Sequence, residues 1–270
     1  MTKRAAVIGH PINHSKSPLI HKYWIEKYRL AATYEALDIA PEKLEGAIRS
    51  LAEQYAGFNV TLPHKEKILT LCDEIDELAR NVGAVNTVTI ENGKLYGTNT
   101  DVFGFTENIK SKEPGFDFSS GPAVILGAGG AARAIVYALI TEGVPEIRIV
   151  NRTKEKAEIL IKKFKNSRVW DWQERDQSLS GANLLVNTTS MGMKGQPELE
   201  MDLNKLPKTA LVNDIVYAPL MTDLLIRAQD RGNKTVTGIG MLLHQARPAF
   251  HSWFGVMPDV DTELEKRVAT

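Results

Sequence analysis

Short apolar runs and amphipathic segments alternate along most of this chain, which is typical of an α/β protein. In the first half, apolar runs predict strands at 4–9, 33–39 and 57–61. Apolar positions at helical spacing predict helices at 18–28 and at 42–54, where Pro41 stands at the start. In the second half we expect strands, alternating with helices, at 122–126, 147–150, 184–187, 210–214 and 234–237. Such alternation predicts a parallel, doubly wound sheet.

The region between these two halves contains a hairpin signal and a domain boundary. Asn92-Gly93 separates the apolar stretches 86–90 and 95–99, and short helices are expected at 64–71 and 74–80. Residues 101–112 are expected to form a connecting helix, and the stretch 113–121 carries Pro, Gly and Ser. The final helices, expected at 241–253 and 261–268, could return to the first domain. We therefore expect one domain at 1–112, completed by C-terminal helices within 239–270, and a second at 113–238.

A turn of small residues follows the first strand of the second domain. It runs Gly127-Ala128-Gly129-Gly130-Ala131, with Ala132 next. In a dinucleotide fold the first glycine permits the tight turn, the second lets backbone N–H groups approach a pyrophosphate, and the third small residue allows close packing of helix on strand. The N-terminus of the helix supplies positive potential. An ordinary strand-to-helix turn of any α/β protein is the alternative interpretation.

The end of the next strand favours NADP over NAD. An NAD site places an acidic side chain there for the ribose 2′-hydroxyl. Here the chain offers Asn151, Arg152 and Thr153, with Lys156 one helical turn further on. One charge-assisted bond from arginine to a 2′-phosphate contributes about 1.5–3 kcal/mol, roughly ten- to a hundredfold in affinity. A solvated basic helix start is the alternative.

Three later strands of this domain end in polar or small residues, and strand ends line the ligand crevice of such sheets. We expect cofactor or substrate contacts at Thr188, at Ile215 and Tyr217, and at Gly238.

Composition excludes several classes of protein. The chain has 270 residues, 43% of them hydrophobic, with 33 basic and 33 acidic residues and hence a formal charge of zero. This balance predicts neither a nucleic-acid footprint nor an anionic membrane surface. Cys72 is the single cysteine, expected to be a buried small hydrophobe, and the first apolar run is too short for a signal-peptide core. We expect no bound metal. We expect a cytoplasmic protein.

Loops of the first domain carry many hydrogen-bonding side chains. Ser15 and Ser17 bracket Lys16, although Ser17 alone could simply cap the helix that follows. Asn59 and Thr61 share one face of a strand end, and Lys65 follows shortly afterwards. Asn86 and Asp101 flank the hairpin. We interpret His64 as a packing or loop-capping residue. Hydroxyls, amides, one amine and one carboxylate suit a small polyhydroxylated ligand.

Taken in order, these motifs resemble those of the shikimate dehydrogenase family. The matching blocks span nearly the whole chain, and they are Gly9-His10-Pro11, Ser15-Lys16-Ser17-Pro18, Phe58-Asn59-Val60-Thr61-Leu62-Pro63-His64-Lys65, Gly83-Ala84-Val85-Asn86-Thr87, Asn99-Thr100-Asp101, the Gly127 turn, Asn151-Arg152-Thr153, Asn187-Thr188-Thr189-Ser190-Met191-Gly192-Met193, Asp214-Ile215-Val216-Tyr217-Ala218-Pro219 and Gly240-Met241-Leu242-Leu243-His244-Gln245-Ala246.

The resemblance implies an N-terminal α/β substrate domain and a Rossmann-like NADP-binding domain. It also implies NADPH-dependent, reversible reduction of 3-dehydroshikimate to shikimate, on the route to aromatic amino acids. Lys65 and Asp101 would be catalytic, and the sequence leaves open which of them carries the transferred proton. The residues expected to contact substrate are Ser15, Ser17, Asn59, Thr61, Asn86, Tyr217 and Gln245. The residues expected to hold the cofactor are Gly127, Ala128, Gly129, Gly130, Ala131, Asn151, Arg152, Thr153, Lys156, Thr188, Ile215, Gly238, Met241 and Glu77.

Two other functions stay open at this point. One is a quinate/shikimate dehydrogenase that uses NAD, which Ser15, Ser17 and the basic cradle at 151–153 disfavour. The other is a nonenzymatic NADPH-binding regulator, which the presence of both Lys65 and Asp101 disfavours. Closure of the two domains around the ligands is a further hypothesis. The sequence leaves open whether the protein is a monomer or a homodimer.

Overall fold

The structure is a computed structural model, and it describes residues 2–162 and 164–269. Its backbone contacts divide the chain into two compact units. The first unit comprises the residues up to Gly104 together with Leu243–Val268, and the second comprises Phe105–Leu242. The chain thus leaves the first unit at 104–105 and re-enters it at 242–243, whereas the sequence predicts boundaries at 112–113 and 238–239. Among the described residues, no helix is both long and apolar enough to span a lipid bilayer.

Within the part of the chain that the structure describes, the first half contains six strands and four α-helices. They are β1 (Lys3–Gly9), α1 (Ser17–Lys27), β2 (Ala32–Asp38), α2 (Leu44–Gln54), β3 (Gly57–Val60), β4 (Glu74–Ile75), α3 (Glu77–Val82), β5 (Thr87–Glu91), β6 (Lys94–Thr98) and α4 (Asp101–Lys112).

The six strands of the first unit form one mixed sheet in the order β2-β1-β3-β5-β6-β4. β1 pairs in parallel with β2 and with β3, whereas β5 pairs in antiparallel with β3 and with β6. Successive side chains of a strand point to opposite faces. In β1, Ala5 and Val7 pack into one apolar cluster, while Ala6 and Ile8 pack into another. The sheet is therefore covered on both faces, which explains why β1 is a continuous apolar run.

The second half of the chain supplies the second sheet and the closing helices. They are β7 (Ala123–Leu126), α5 (Gly130–Thr141), β8 (Ile147–Asn151), α6 (Lys154–Ile161), β9 (Ser167–Asp171), β10 (Leu184–Asn187), β11 (Leu211–Asp214), α7 (Asp223–Asp230), β12 (Lys234–Val236), α8 (Ile239–Phe254) and α9 (Thr262–Ala269).

All six strands of this second sheet are parallel, in the order β12-β11-β10-β7-β8-β9. Counted from β7 as the first strand, this is the 3-2-1-4-5-6 order of the dinucleotide-binding fold. The strand order reverses between β7 and β10, and ligands of such sheets bind beyond the strand ends at that point. The prediction of a doubly wound parallel sheet is confirmed.

Two predicted helices are wrong in part. Residues 64–71 form only a short 3₁₀ turn, Lys67–Thr70. The carbonyl of Lys65 accepts the N–H of Val85 at 2.9 Å and so serves a tertiary contact instead of an α-helical bond. Residues 74–80 begin as strand β4 against β6, and α3 starts only at Glu77 because the Asp76 carboxylate caps the N–H of Ala79 at 2.7 Å.

Two other expectations need correction. Strand β9 is absent from the prediction, because it is an edge strand with largely polar, half-exposed residues. Cys72 is half-buried rather than fully buried, although it packs against the first unit's core. Burial raises the pKa of its thiol to about 12, so the thiol stays protonated.

Candidate active site

The hairpin formed by β5 and β6 brings two separate polar segments of the first unit together. Asn86 precedes β5, and Asn99 to Asp101 follow β6. Because the strands are antiparallel, these segments lie side by side, and the N–H of Asn86 donates to the carbonyl of Thr98 at 3.1 Å. The loop after β3 joins them through the bond from Val85 N–H to the Lys65 carbonyl.

An amine and a carboxylate are paired where these segments meet. The Lys65 ammonium donates to Asp101 Oδ2 at 2.6 Å. The side chain of Lys65 is 26% exposed and that of Asp101 is 13% exposed. The pair is therefore partly desolvated, which strengthens the attraction between the two charges relative to a pair on the open surface.

Asn86 holds the other side of the carboxylate. Its Nδ2 donates to Asp101 Oδ1 at 2.8 Å and to Thr100 Oγ1 at 3.0 Å, while its Oδ1 accepts the N–H of Thr100 at 2.8 Å. The N–H of Asp101 donates to Asn99 Oδ1 at 3.0 Å. Both carboxylate oxygens are thus fixed by donors, and this orientation in turn fixes the Lys65 amine.

Other predicted substrate residues lie in the same unit. Thr100 Oγ1 donates to Gln245 Oε1 on α8 at 3.4 Å, which links Gln245 to this network. The N–H of Ser17 donates to Ser15 Oγ at 3.3 Å, so these serines share one turn. Ser17 is the first residue of α1, and Lys16 is its N-cap, so the alternative that Ser17 simply caps the helix is wrong. Thr61 is half-buried just after β3.

Two residues near Lys65 have structural partners. Asn59 is buried, and its amide donates to the Asn86 carbonyl at 3.3 Å and to Thr87 Oγ1 at 3.1 Å. Both N–H groups are thereby used within the protein, so Asn59 supports Asn86 instead of offering a free donor. His64 is buried and its Nε2 lies 2.7 Å from the Ile39 carbonyl, which confirms its interpretation as a packing residue.

The glycine turn of the second unit follows β7 at the reversal of strand order. Gly127 has φ +105°, and a Cβ atom there would lie 2.7 Å from Thr188 Oγ1, so a side chain is excluded. That hydroxyl donates to the Leu126 carbonyl at 2.6 Å, which ties β7 to β10. A Cβ at Gly129 or Gly130 would meet no atom within 4 Å. The space beside these two glycines is open, as backbone contact with a phosphate requires.

The N-terminus of α5 is also open, since its N-cap is Gly129 and no side chain caps the first amides. Those N–H groups can therefore bind an anion. At the end of β8, Asn151 Nδ2 donates to the Thr153 carbonyl at 2.6 Å and closes the turn. Arg152, Thr153 and Lys156 are exposed beside it. Within the described residues, no carboxylate forms an ion pair with Arg152 or Lys156. These features fit a pyrophosphate and a 2′-phosphate.

Strand ends further along the sheet are packed closely. A Cβ at Gly238 would lie 2.2 Å from the Ile215 carbonyl, so only glycine fits there. The buried carboxylate of Asp214 accepts hydrogen bonds from Asn187 at 3.0 Å and from the hydroxyl of Thr222 at 2.7 Å. Burial raises the pKa of Asp214 despite these donors.

The remaining predicted residues lie apart from these contacts. Tyr217 is half-buried in the second unit, where burial raises the pKa of its hydroxyl, and Met241 is buried on α8. Glu77 is exposed at the start of α3 in the first unit.

The predicted site residues omit Asn99, Thr100, Thr87 and Tyr34, which the structure places in this network. Asn99 and Thr100 directly hold Asp101 and Asn86. Their polar side chains just after a strand are the feature of the sequence that could have identified them. Tyr34 donates its hydroxyl to Asn59 Oδ1 at 2.7 Å from within β2. No local pattern distinguishes Tyr34 from an ordinary core aromatic residue, because its partners are distant in sequence.

Comparisons with known proteins agree with this arrangement. Three family profiles match: the shikimate dehydrogenase substrate binding domain over residues 7–88, shikimate / quinate 5-dehydrogenase over 109–217, and the shikimate 5′-dehydrogenase C-terminal domain over 238–262. The shikimate dehydrogenase (NADP(+)) of Paramagnetospirillum magneticum is 52% identical over 263 residues, which cover 96% of this chain and 95% of that protein.

Solved structures give the same result. Shikimate 5-dehydrogenase from Thermus thermophilus, in complex with NADP(H) and shikimate, matches with a TM-score of 0.88 and 37% identity over 99% of this chain and 98% of that one. Quinate dehydrogenase from Corynebacterium glutamicum, in complex with NAD, matches with a TM-score of 0.91 and 30% identity, with 98% of both chains covered. This chain belongs to the shikimate dehydrogenase family.

Proposed function

We propose that this protein catalyses the NADPH-dependent, reversible reduction of 3-dehydroshikimate to shikimate, in agreement with relatives that are named shikimate dehydrogenase (NADP(+)). The observation that carries the proposal is the Lys65–Asp101 pair, 2.6 Å apart and held by Asn86. A partly desolvated ammonium beside a fixed carboxylate is suited to protonate an oxygen that gains charge during a reaction.

Reduction of a ketone to an alcohol adds a hydride to carbon and a proton to oxygen. NADPH, when bound, supplies the hydride. Lys65 stabilises the developing negative charge on the oxygen and donates the proton, and in the reverse direction its neutral amine removes that proton. Asp101 keeps the amine in place through their direct hydrogen bond, and Asn86 holds Asp101 from the other oxygen. Gln245 and Thr100 extend this polar group, which suits the hydroxyls of the substrate.

The second unit supplies the groups that suit NADP. The residues we assign to the diphosphate are the open turn of Gly127, Ala128, Gly129, Gly130 and Ala131. Arg152 and Lys156, with Asn151 and Thr153, are assigned to the 2′-phosphate, because a diphosphate at the α5 N-terminus places the adenosine ribose beyond the adjacent strand. Gly238 and Ile215 are assigned to the nicotinamide end, together with Thr188, Met241 and Glu77.

The substrate residues remain assignments from the family motifs. They are Ser15, Ser17, Asn59, Thr61, Asn86, Tyr217 and Gln245, and for Asn59 we favour an indirect contribution through Asn86. In this proposal, residues 1–112 with the C-terminal helices bind substrate, and residues 113–238 bind NADP. The cytoplasmic location, the closure of the domains and the choice between monomer and homodimer stay predictions.

A quinate-oxidising, NAD-dependent activity is the second candidate, because quinate dehydrogenase from Corynebacterium glutamicum in complex with NAD is a structural neighbour. The experiment that decides is a spectrophotometric assay of cofactor reduction at near-ultraviolet wavelengths. Purified protein is given shikimate or quinate, each with NADP or NAD. We expect the highest kcat/KM for shikimate with NADP. Preference for quinate with NAD would support the second candidate, and no turnover with either acid would contradict both and leave a binding protein.

A further inference from the structure

Tyr34, a buried residue of β2, is not among the proposed site residues, but it contacts one of them, Asn59. The ring of Tyr34 stacks on the ring of His21, with centroids 4.0 Å apart and planes 8° apart. It also packs against the ring of Trp253, with 6.0 Å between the ring centroids. The residue is 1% exposed. Its ring is therefore clamped by aromatic neighbours, and this leaves the hydroxyl with one location.

The hydroxyl of Tyr34 supports the strand that carries Asn59. It donates to Asn59 Oδ1 at 2.7 Å. Burial raises the pKa of Tyr34 well above its usual range, so the hydroxyl stays protonated at neutral pH and remains a donor to Asn59.

The orientation of the Asn59 amide depends on this donor. Both N–H groups of Asn59 donate to the segment at the start of β5, namely to the Asn86 carbonyl and to Thr87 Oγ1. The carbonyl oxygen of the side chain must then face Tyr34, which is the donor assigned to it. Thr87 Oγ1 in turn donates to Asn86 Oδ1 at 3.1 Å, and Asn86 donates to Asp101.

A continuous path of hydrogen bonds thus runs from Tyr34 through Asn59, Thr87 and Asn86 to the carboxylate that holds Lys65. Tyr34, Asn59, Thr87 and Asn86 are buried, so no water competes for these bonds. We propose that Tyr34 is a positioning residue of the dehydrogenase, whose hydroxyl orients the Asn59 amide and, through Thr87 and Asn86, the Asp101 carboxylate that holds Lys65. This inference rests on the proposed function, since it assigns a role within that reaction.

The variant Tyr34→Phe removes the hydroxyl while the ring remains to stack on His21. The side-chain carbonyl of Asn59 then loses its donor in a buried place. We expect kcat/KM for shikimate to fall about tenfold, the effect of one lost buried hydrogen bond. The fall should lie in kcat, because the path ends at Asp101, and the KM for shikimate should stay within about twofold of wild type. The KM for NADP should stay within about twofold of wild type, because the path does not reach the second unit.

A matched control is Tyr28→Phe, which also removes a tyrosine hydroxyl in the first unit. That hydroxyl accepts the N–H of Asp259 at 3.1 Å and has no part in the path. We expect its kcat and KM to equal those of wild type. A merely structural role of Tyr34 would only reduce the amount of folded enzyme, so kcat expressed per NADPH-binding site, counted by fluorescence titration, would then equal that of wild type.

A double-mutant cycle with Thr87→Val tests whether Tyr34 acts through this path. Thr87→Val removes the hydroxyl that links Asn59 to Asn86 and should by itself lower kcat about tenfold with KM unchanged. In that background Tyr34→Phe should cause little further loss, because the path is already interrupted. Additive losses in kcat would contradict the path. Should Tyr34→Phe fold poorly, Thr87→Val alone tests the same path.

Two outcomes distinguish failure of this inference from failure of the proposed function. A wild-type protein that turns over neither shikimate nor quinate contradicts the proposed function. An active wild type, with Tyr34→Phe and Thr87→Val both equal to it in kcat and KM, overturns the role of Tyr34 and leaves the function intact.

Discussion

Replacement of His21 by phenylalanine should remove a large part of the pH dependence of folding in the first unit. His21 is fully buried on α1, stacked on Tyr34 and edge-on to Trp24 at 5.8 Å between ring centroids. Burial lowers the pKa of His21 to about 3, from an ordinary value of 6.5. The folded protein thus keeps this ring neutral under conditions in which the unfolded chain protonates it.

The sign and size of the effect follow from linkage. Because the folded-state pKa is depressed, the contribution to stability is fully present above about pH 6.5 and is lost as the pH falls toward 3. One proton taken up only by the unfolded chain costs about 1.36 kcal/mol per pH unit. Between about pH 7 and pH 5 the free energy of unfolding should therefore fall by about 2 kcal/mol on account of His21. Phenylalanine fills the same place without a titrating group, so the variant should lack this part of the loss.

The assay is urea unfolding at these two pH values, followed by tryptophan fluorescence. Trp170 and Trp172 are first replaced by phenylalanine, so that the signal comes from Trp24 and Trp253, whose rings lie 5.8 Å and 5.5 Å from the ring of His21. Titration of other groups occurs in both proteins and cancels in the comparison.

The exposed residue His14 provides the control, and His14→Gln should show the same loss of stability between the two pH values as wild type. An equal loss in His21→Phe and in wild type would contradict this prediction, because it would mean that His21 titrates alike in the folded and unfolded states.

Three further predictions concern the second unit. Arg152→Ala should raise the KM for NADP roughly ten- to a hundredfold and leave the KM for NAD unchanged, as measured by steady-state kinetics with both cofactors. An equal change in the two KM values would place Arg152 away from the 2′-phosphate. Gly238→Ala inserts a Cβ 2.2 Å from the Ile215 carbonyl, so we expect a loss of about 1–3 kcal/mol in unfolding free energy and weaker NADP binding in a fluorescence titration; wild-type values for both would show that the turn can relax. Thr222→Val removes both a hydrogen-bond donor to the buried Asp214 and the N-cap of α7, so we expect the free energy of unfolding in urea to fall by about 2 kcal/mol. The control Thr141→Val, on the exposed side of α5, should lower it little, and equal losses would contradict the role of the buried bond.

Much of the fold follows from local patterns. The small residues after β7 predict the turn and the helix start, because only glycine at 127 can take the positive φ beside Thr188. Helix α4 spans the residues 101–112 expected for it, since the polar segment before it supplies Asn99, whose side chain accepts the N–H of Asp101.

Elements that depend on distant partners could not be predicted in this way. The segment 64–71 has helical spacing, yet its Lys65 carbonyl bonds to Val85, which lies much further along the chain. Strand β9 forms because it pairs with β8 at the edge of the sheet, and its own residues show little of the apolar pattern that predicts a strand.

The candidate site shows the same division. Lys65, Asn86 and Asp101 are predictable because polar residues after apolar strands stand out in the sequence, and the structure brings all three into contact. The indirect role of Asn59 and the position of Tyr34 depend on burial and on pairing between strands. Hydrogen bonds between residues far apart in sequence leave no local pattern to detect.

The most direct test of the account is the steady-state rate of NADP reduction by shikimate in Lys65→Ala, compared with Lys67→Ala. Lys67 lies two residues away, pairs with Glu45 at 2.8 Å and has a 54% exposed side chain, so its loss should leave turnover unchanged. For Lys65→Ala we expect a kcat lower by at least about a hundredfold, the contribution of a positioned acid–base group, with little change in KM. A kcat close to that of wild type would remove Lys65 from the reaction and contradict the proposed chemistry.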